Sequence, residues 1–137
     1  MSVVIPHRIT EIVSQSKDPK KTILDIVGDL SGVDISGDMV LLGIYIRPEK
    51  TAGGIYRPPE NVQEDVFQGK VGLVLKLGPN AFRNADDGEL YEQNFAVGEW
   101  GVFKVGEAWS ISIKGYPCRM VRDVSLKLKI KDPTIVF

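Results

Sequence analysis

The chain has 137 residues, of which 43% are hydrophobic and 26% are charged, a composition typical of a single globular domain. Seventeen basic and eighteen acidic side chains give a net charge of -1, which excludes a whole-domain field that would attract nucleic acid or an anionic membrane. One cysteine and one histidine are too few for a disulfide framework or a structural zinc site.

The first thirty residues predict two short helices. Their apolar residues fall at helical spacing, first at Ile9, Ile12 and Val13 and then at Ile23, Ile26, Val27 and Leu30. Asp18 is placed to cap the second helix, Pro19 suits its first position, and Ser31-Gly32 is available to end it. The beginning of the chain lacks the pattern of a signal peptide, and no apolar run is long enough to span a membrane. We therefore expect a cytoplasmic protein, or one built into a particle assembled there.

From Gly37 onward the pattern changes to β-branched and aromatic runs separated by turn residues, which favours a β-sandwich or barrel. Strands are predicted near residues 39–47, 69–77, 99–105, 110–114, 117–122 and 125–131. A tight hairpin turn is predicted at Lys114-Gly115. The aromatic side chains on these strands are expected in the core, namely Tyr45, Trp100, Phe103, Trp109 and Tyr116.

Two segments, 48–68 and 78–98, lack strand character and are long for connections within a compact domain. Loops of this length are often functional, so partner contacts are expected there first.

Catalytic chemistry is not indicated. His7, the only imidazole, lies near the start of the chain, and Cys118 falls within a predicted strand, where a buried, inert thiol is expected. The acidic turn at 86–89 lacks the order of a calcium loop, and the glycine pairs lack the spacing of a phosphate-binding loop. We expect no catalytic residue, no metal and no cofactor.

Three motifs follow one another along the chain. Residues 44–58 contain R-P-E followed by K-T-A-G-G-I, residues 69–79 read G-K-V-G-L-V-L-K-L-G-P, and residues 97–103 read V-G-E-W-G-V-F. In these motifs and in their order the chain resembles the GroES-type co-chaperonins, the chaperonin-10 family, over about residues 39–122. The additional residues at both ends resemble the divergent members that some tailed phages encode.

The resemblance implies a mainly β fold, a small irregular GroES-like barrel at 37–137 with a short helical N-terminal extension at 1–36. It also implies that the loop at 48–68 docks on a chaperonin ring through Lys50, Thr51, Ala52, Gly53, Gly54, Ile55, Tyr56 and Arg57. The family forms rings in which the last strand of one subunit lies beside the first strand of the next. We therefore expect a homo-oligomer with unpaired edges near 40–46 and 126–130, and no nucleic-acid or membrane partner.

Two functions remain open. The first is a non-enzymatic co-chaperonin that assists the folding of phage head proteins in the cytoplasm of the infected bacterial cell. The alternative is a virion structural protein, a capsid decoration or cement protein built on the same barrel. Arg57 stands where the family's docking tripeptide is normally apolar, and Pro58-Pro59 stiffens the chain after it. Both features favour the alternative.

Overall fold

The computed structural model describes residues 18–46, 70–84 and 86–135. Within these ranges the fold is mainly β, with one α-helix and six strands. The elements are α1 (Pro19–Val27), β1 (Met39–Ile44), β2 (Val71–Leu77), β3 (Trp100–Phe103), β4 (Trp109–Ile113), β5 (Tyr116–Arg122) and β6 (Leu126–Ile130). Short 3₁₀ turns occupy Val105–Glu107, Asp123–Ser125 and Pro133–Ile135. No helix in these ranges has the length and apolar character needed to cross a membrane.

Helix α1 begins as the sequence predicts. The Asp18 carboxylate accepts a hydrogen bond from the Lys21 N–H at 3.2 Å, and Pro19 occupies the first turn. The helix ends earlier than predicted, at Gly28 rather than at Ser31-Gly32. Gly28 has a φ of 64° and its N–H donates to the Leu24 carbonyl at 3.0 Å, so it closes the last turn in the left-handed region that glycine favours. The helix predicted at residues 9–13 lies outside the described residues.

All six predicted strands are present, and they form one antiparallel sheet with the order β4-β5-β1-β2-β3-β6. Their ends differ from the predicted ones by a few residues. The hairpin turn between β4 and β5 is confirmed, because Lys114 and Gly115 both have positive φ values, 51° and 83°. That pair of angles suits the right-handed twist of a two-residue hairpin.

Helix α1 covers one face of the sheet. It buries Ile23 and Val27, and a Cβ built on Gly43 of β1 would lie only 2.8 Å from Cγ2 of Ile23. The helix thus lies directly on the backbone of a central strand. The buried residues on this side form the helix-side cluster: Ile23, Val27, Ile35, Leu41, Tyr45, Ile46, Val71, Leu73, Leu75, Trp100, Tyr116, Cys118 and Ile130.

The connection at 78–98 covers the other face. It contributes Ala81, Phe82 and Phe95 to a second core, in which the Phe82 and Phe95 rings lie 5.5 Å apart. The buried carboxylate of Asp123 accepts a hydrogen bond from the Phe82 N–H at 2.7 Å, which fixes the connection to the end of β5. The sequence marks this segment as a candidate binding loop, whereas in the structure it supplies core residues.

Short connections require the sheet to be strongly curved. β5 and β6 are four positions apart in the strand order, which corresponds to about 19 Å in a flat sheet. Only Asp123–Ser125 joins them, and four peptide steps reach about 14 Å even when extended. The Ser125 hydroxyl donates to the Glu107 carboxylate at 2.7 Å, so the link from β3 to β4 lies beside this one. β5 and β6 are therefore drawn toward each other.

The sheet is nevertheless not closed, since β4 and β6 are its two edges and do not pair with each other in the described ranges. The expectation of an unpaired edge near 40–46 is wrong. β1 lies in the middle of the sheet, with Val40 opposite Leu77 of β2 on one side and opposite Val121 of β5 on the other. The expected edge near 126–130 is present as β6.

Candidate partner-binding surface

Residues 50–57, which the resemblance assigns to docking, lie outside the described residues. The structure does describe where the segment at 47–69 is attached. It joins the end of β1 to the start of β2, which are neighbouring antiparallel strands with Ile44 opposite Gly72. The Tyr45 N–H donates to the Val71 carbonyl at 2.9 Å. Both attachment points therefore lie side by side at one end of the sheet.

These attachment points are held by buried aromatic side chains. Tyr45 is buried, and its ring meets Trp100 edge to face with the centroids 5.6 Å apart. The buried hydroxyl of Tyr116 donates to the Ile44 carbonyl at 2.5 Å. Ile46, the last described residue before the segment, is also buried. Packed aromatic pairs and a buried hydrogen bond fix the base from which the segment departs.

The Cys118 thiol and the Tyr116 hydroxyl, which are buried near this base, stay in their neutral forms. Burial raises the pKa of the Cys118 thiol from 9.0 to about 12, and burial raises the pKa of the Tyr116 hydroxyl well above its usual value. Both groups are therefore neutral at physiological pH, and the thiol lacks the thiolate form that a nucleophile needs. Desolvation lowers the pKa of Arg119, which is almost fully buried on β5.

The acidic turn at 86–89 uses its side chains to hold its own backbone. The side-chain oxygen Oδ1 of Asn84 accepts a hydrogen bond from the Asp86 N–H, and the Asp87 carboxylate accepts one from the Glu89 N–H, both at 2.9 Å. In the part of the chain that the structure describes, no group of three or more His, Cys, Asp and Glu side chains is placed to hold a metal ion. His7 lies outside it.

Trp109 is the exception among the strand aromatics that the sequence places in the core. Tyr45, Trp100, Phe103 and Tyr116 are buried as expected, but Trp109 is 68% exposed. It begins β4, an edge strand. Its spacing with Ile111 and Ile113 matches that of an interior residue, so the sequence pattern contains no signal that separates it from them. Ile111 and Ile113 on the same strand are half-buried, so the exposed position is the start of the strand.

Two regions are therefore candidates for contact with a partner. One is the segment anchored between β1 and β2, which carries Ile55 and Tyr56. The other is the β4 edge with Trp109. No family model matches the chain, and no curated protein matches it. The relation to the co-chaperonins stays a prediction that rests on the three ordered motifs.

Proposed function

We propose that the protein is a non-enzymatic, GroES-like co-chaperonin that binds a chaperonin ring and assists the folding of phage head proteins. One observation carries the proposal. The K-T-A-G-G-I motif lies in a segment inserted between two neighbouring strands whose ends are pinned by Tyr45 and Tyr116. A rigid base with a long inserted segment is an arrangement suited to presenting a peptide to a partner.

The curvature of the sheet supports the barrel that the resemblance implies. The three-residue link Asp123–Ser125 spans strands that a flat sheet would separate by about 19 Å. A sheet bent in this way lies between an open sheet and a barrel. Cys118 is buried and its pKa is raised to about 12, so this thiol is unsuited to nucleophilic catalysis.

The docking chemistry follows from the sequence of the segment. Ile55 and Tyr56 form an apolar pair between Gly53-Gly54 and Pro58-Pro59, and an apolar groove on a partner can bury such a pair as an extended peptide. Burying one isoleucine contributes roughly 1.5 to 3 kcal/mol. That is weak for a single subunit, so simultaneous binding by several copies would supply the affinity.

The test is Ile55→Asp, measured by pull-down with a bacterial chaperonin and by its effect on the chaperonin ATPase. We expect the variant to lose binding, because the charge cannot enter an apolar groove without a large desolvation cost. The matched control is Leu90→Asp, which places the same charge on an apolar side chain that is 54% exposed outside the segment. Leu90→Asp should bind like the wild type. Full binding by Ile55→Asp would contradict the docking assignment.

The alternative, a capsid decoration protein, is favoured by a different observation, the exposed Trp109 on an uncharged strand edge. Exposed tryptophans are frequent anchors of protein interfaces. If the protein has this function, the wild type binds purified phage capsids and does not bind chaperonin. Trp109→Ala then lowers the amount of protein bound to the capsids. Ile55→Asp and Trp109→Ala therefore separate the two functions when each is assayed against both partners.

A further inference from the structure

The two edges of the sheet differ in charge. β6 alternates apolar residues with Lys127 and Lys129, which are exposed, and Lys131 follows the strand. β4 reads W-S-I-S-I and has no charged residue. Lysines on an edge strand oppose pairing with another strand, and this is a common protection of exposed edges. Within the described residues β6 thus carries two lysines in the strand itself, whereas β4 carries no charge between Trp109 and Ile113.

β4 has the features of an edge that can accept another strand. Within the described residues it pairs only with β5, from Trp109 opposite Met120 to Ile113 opposite Tyr116, so its outer side presents unpaired backbone donors and acceptors. Trp109 is 68% exposed, and Ile111 is half-buried. A strand added here would pair the backbone and cover part of the indole.

When two copies of β4 pair antiparallel, polar residues lie opposite polar residues and apolar residues lie opposite apolar residues. When two copies of W-S-I-S-I run antiparallel about a two-fold axis at Ile111, each Ser110 lies opposite Ser112 of the other copy. Trp109 then lies opposite Ile113, and the two Ile111 residues face each other. Cross-strand aromatic and β-branched pairs and paired hydroxyl residues both stabilise a sheet. The same operation on β6 places Lys127 opposite Lys129, which like charges disfavour.

We propose that β4 pairs with β4 of a second copy of this chain across a two-fold axis, so that two six-stranded sheets become one continuous sheet. The contact is isologous, since the same strand serves both protomers. It is small and centred on one five-residue strand, so the dimer forms at high protein concentration and dissociates on dilution. This inference does not depend on the proposed co-chaperonin function.

The test introduces charged residues at Ser110 and Ser112. Self-association is measured by sedimentation equilibrium at protein concentrations from roughly 1 µM to 1 mM. Ser110→Lys with Ser112→Lys places lysine opposite lysine in the proposed pairing, and we expect the dissociation constant to rise roughly tenfold or more. Ser110→Glu with Ser112→Glu should weaken self-association in the same way. An equimolar mixture of the two variants should form heterodimers, because each lysine then lies opposite a glutamate.

The matched control is Leu128→Lys on β6, whose side chain is 48% exposed. It should dimerise like the wild type, whereas any association that pairs β6 with a neighbouring copy would be lost. Thermal unfolding by circular dichroism checks that each variant keeps its fold. A wild type that is monomeric throughout, a lysine variant that still dimerises, or loss of dimer in Leu128→Lys would each overturn the proposal.

Discussion

Replacing Ile23 with alanine should destabilise the entire sheet, although the residue lies on the helix that precedes it. Ile23 is 1% exposed, and its Cγ2 lies where a side chain on Gly43 would otherwise begin. Truncating such an isoleucine removes three buried carbons and leaves a cavity against the backbone of β1. Substitutions of this kind cost about 2 to 5 kcal/mol, a large part of the roughly 5 to 15 kcal/mol that stabilises a typical domain.

The assay is urea unfolding followed by circular dichroism, together with thermal unfolding. A loss of about 3 kcal/mol corresponds to a fall in Tm of roughly 10 °C in a protein of this size. The control is Leu24→Ala on the same helix, because Leu24 is 40% exposed and its truncation should cost less than about 1 kcal/mol. The two variants change helix propensity in a similar direction, so their difference isolates burial.

The reasoning would be refuted if Ile23→Ala and Leu24→Ala unfolded at the same urea concentration as the wild type. That result would mean that α1 is an appendage whose contacts with β1 contribute nothing to the stability of the sheet. The result also tests whether the predicted N-terminal extension at 1–36 is independent of the barrel at 37–137. An independent extension could be removed through Leu30 without loss of stability.

Two further predictions concern Cys118 and the β4–β5 turn. The folded pKa of Cys118 is raised from 9.0 to about 12, so its contribution to stability is present below pH 9 and is lost as the pH rises toward 12, by up to about 1.4 kcal/mol per pH unit. The free energy of unfolding in urea should therefore differ between the wild type and Cys118→Ala by an amount that changes between pH 9 and pH 12. A difference that stays constant over this pH range would contradict the raised pKa. Lys114 has a φ of 51° before Gly115, so Lys114→Asn should stabilise the hairpin by up to about 1 kcal/mol; a lower midpoint in urea would count against it.

The local elements of the fold could be predicted from the sequence because local patterns determine them. Runs of β-branched and aromatic residues between turn residues located the strands, Asp18 and Pro19 located the start of α1, and Lys114-Gly115 located the hairpin. The order of the strands could not be predicted in the same way. β1 pairs with β5, and Val40 lies opposite Val121, which is 81 positions later in the sequence. No local pattern encodes a partner at that separation.

The same limit applies to the candidate surfaces. The connection at 78–98 lacks strand periodicity, yet Phe82 and Phe95 pack on the sheet, because irregular backbone can bury aromatic side chains without a repeating pattern. Trp109 has the spacing of a core residue but is exposed at the start of the edge strand β4. The residues at 50–57 were recognised by motif, and their role stays a prediction.

The central position of β1 also has a consequence for synthesis of the protein. Among the strands that the structure describes, β1 is synthesised first, but β5, which completes its pairing, begins only at Tyr116. Until then β1 can pair only with β2, and the other side of a strand that contains Val40, Leu41 and Leu42, all buried in the native fold, has no partner. Such exposed apolar strands are prone to aggregate. Because of this strand order, the nascent chain itself benefits from protection against aggregation during synthesis.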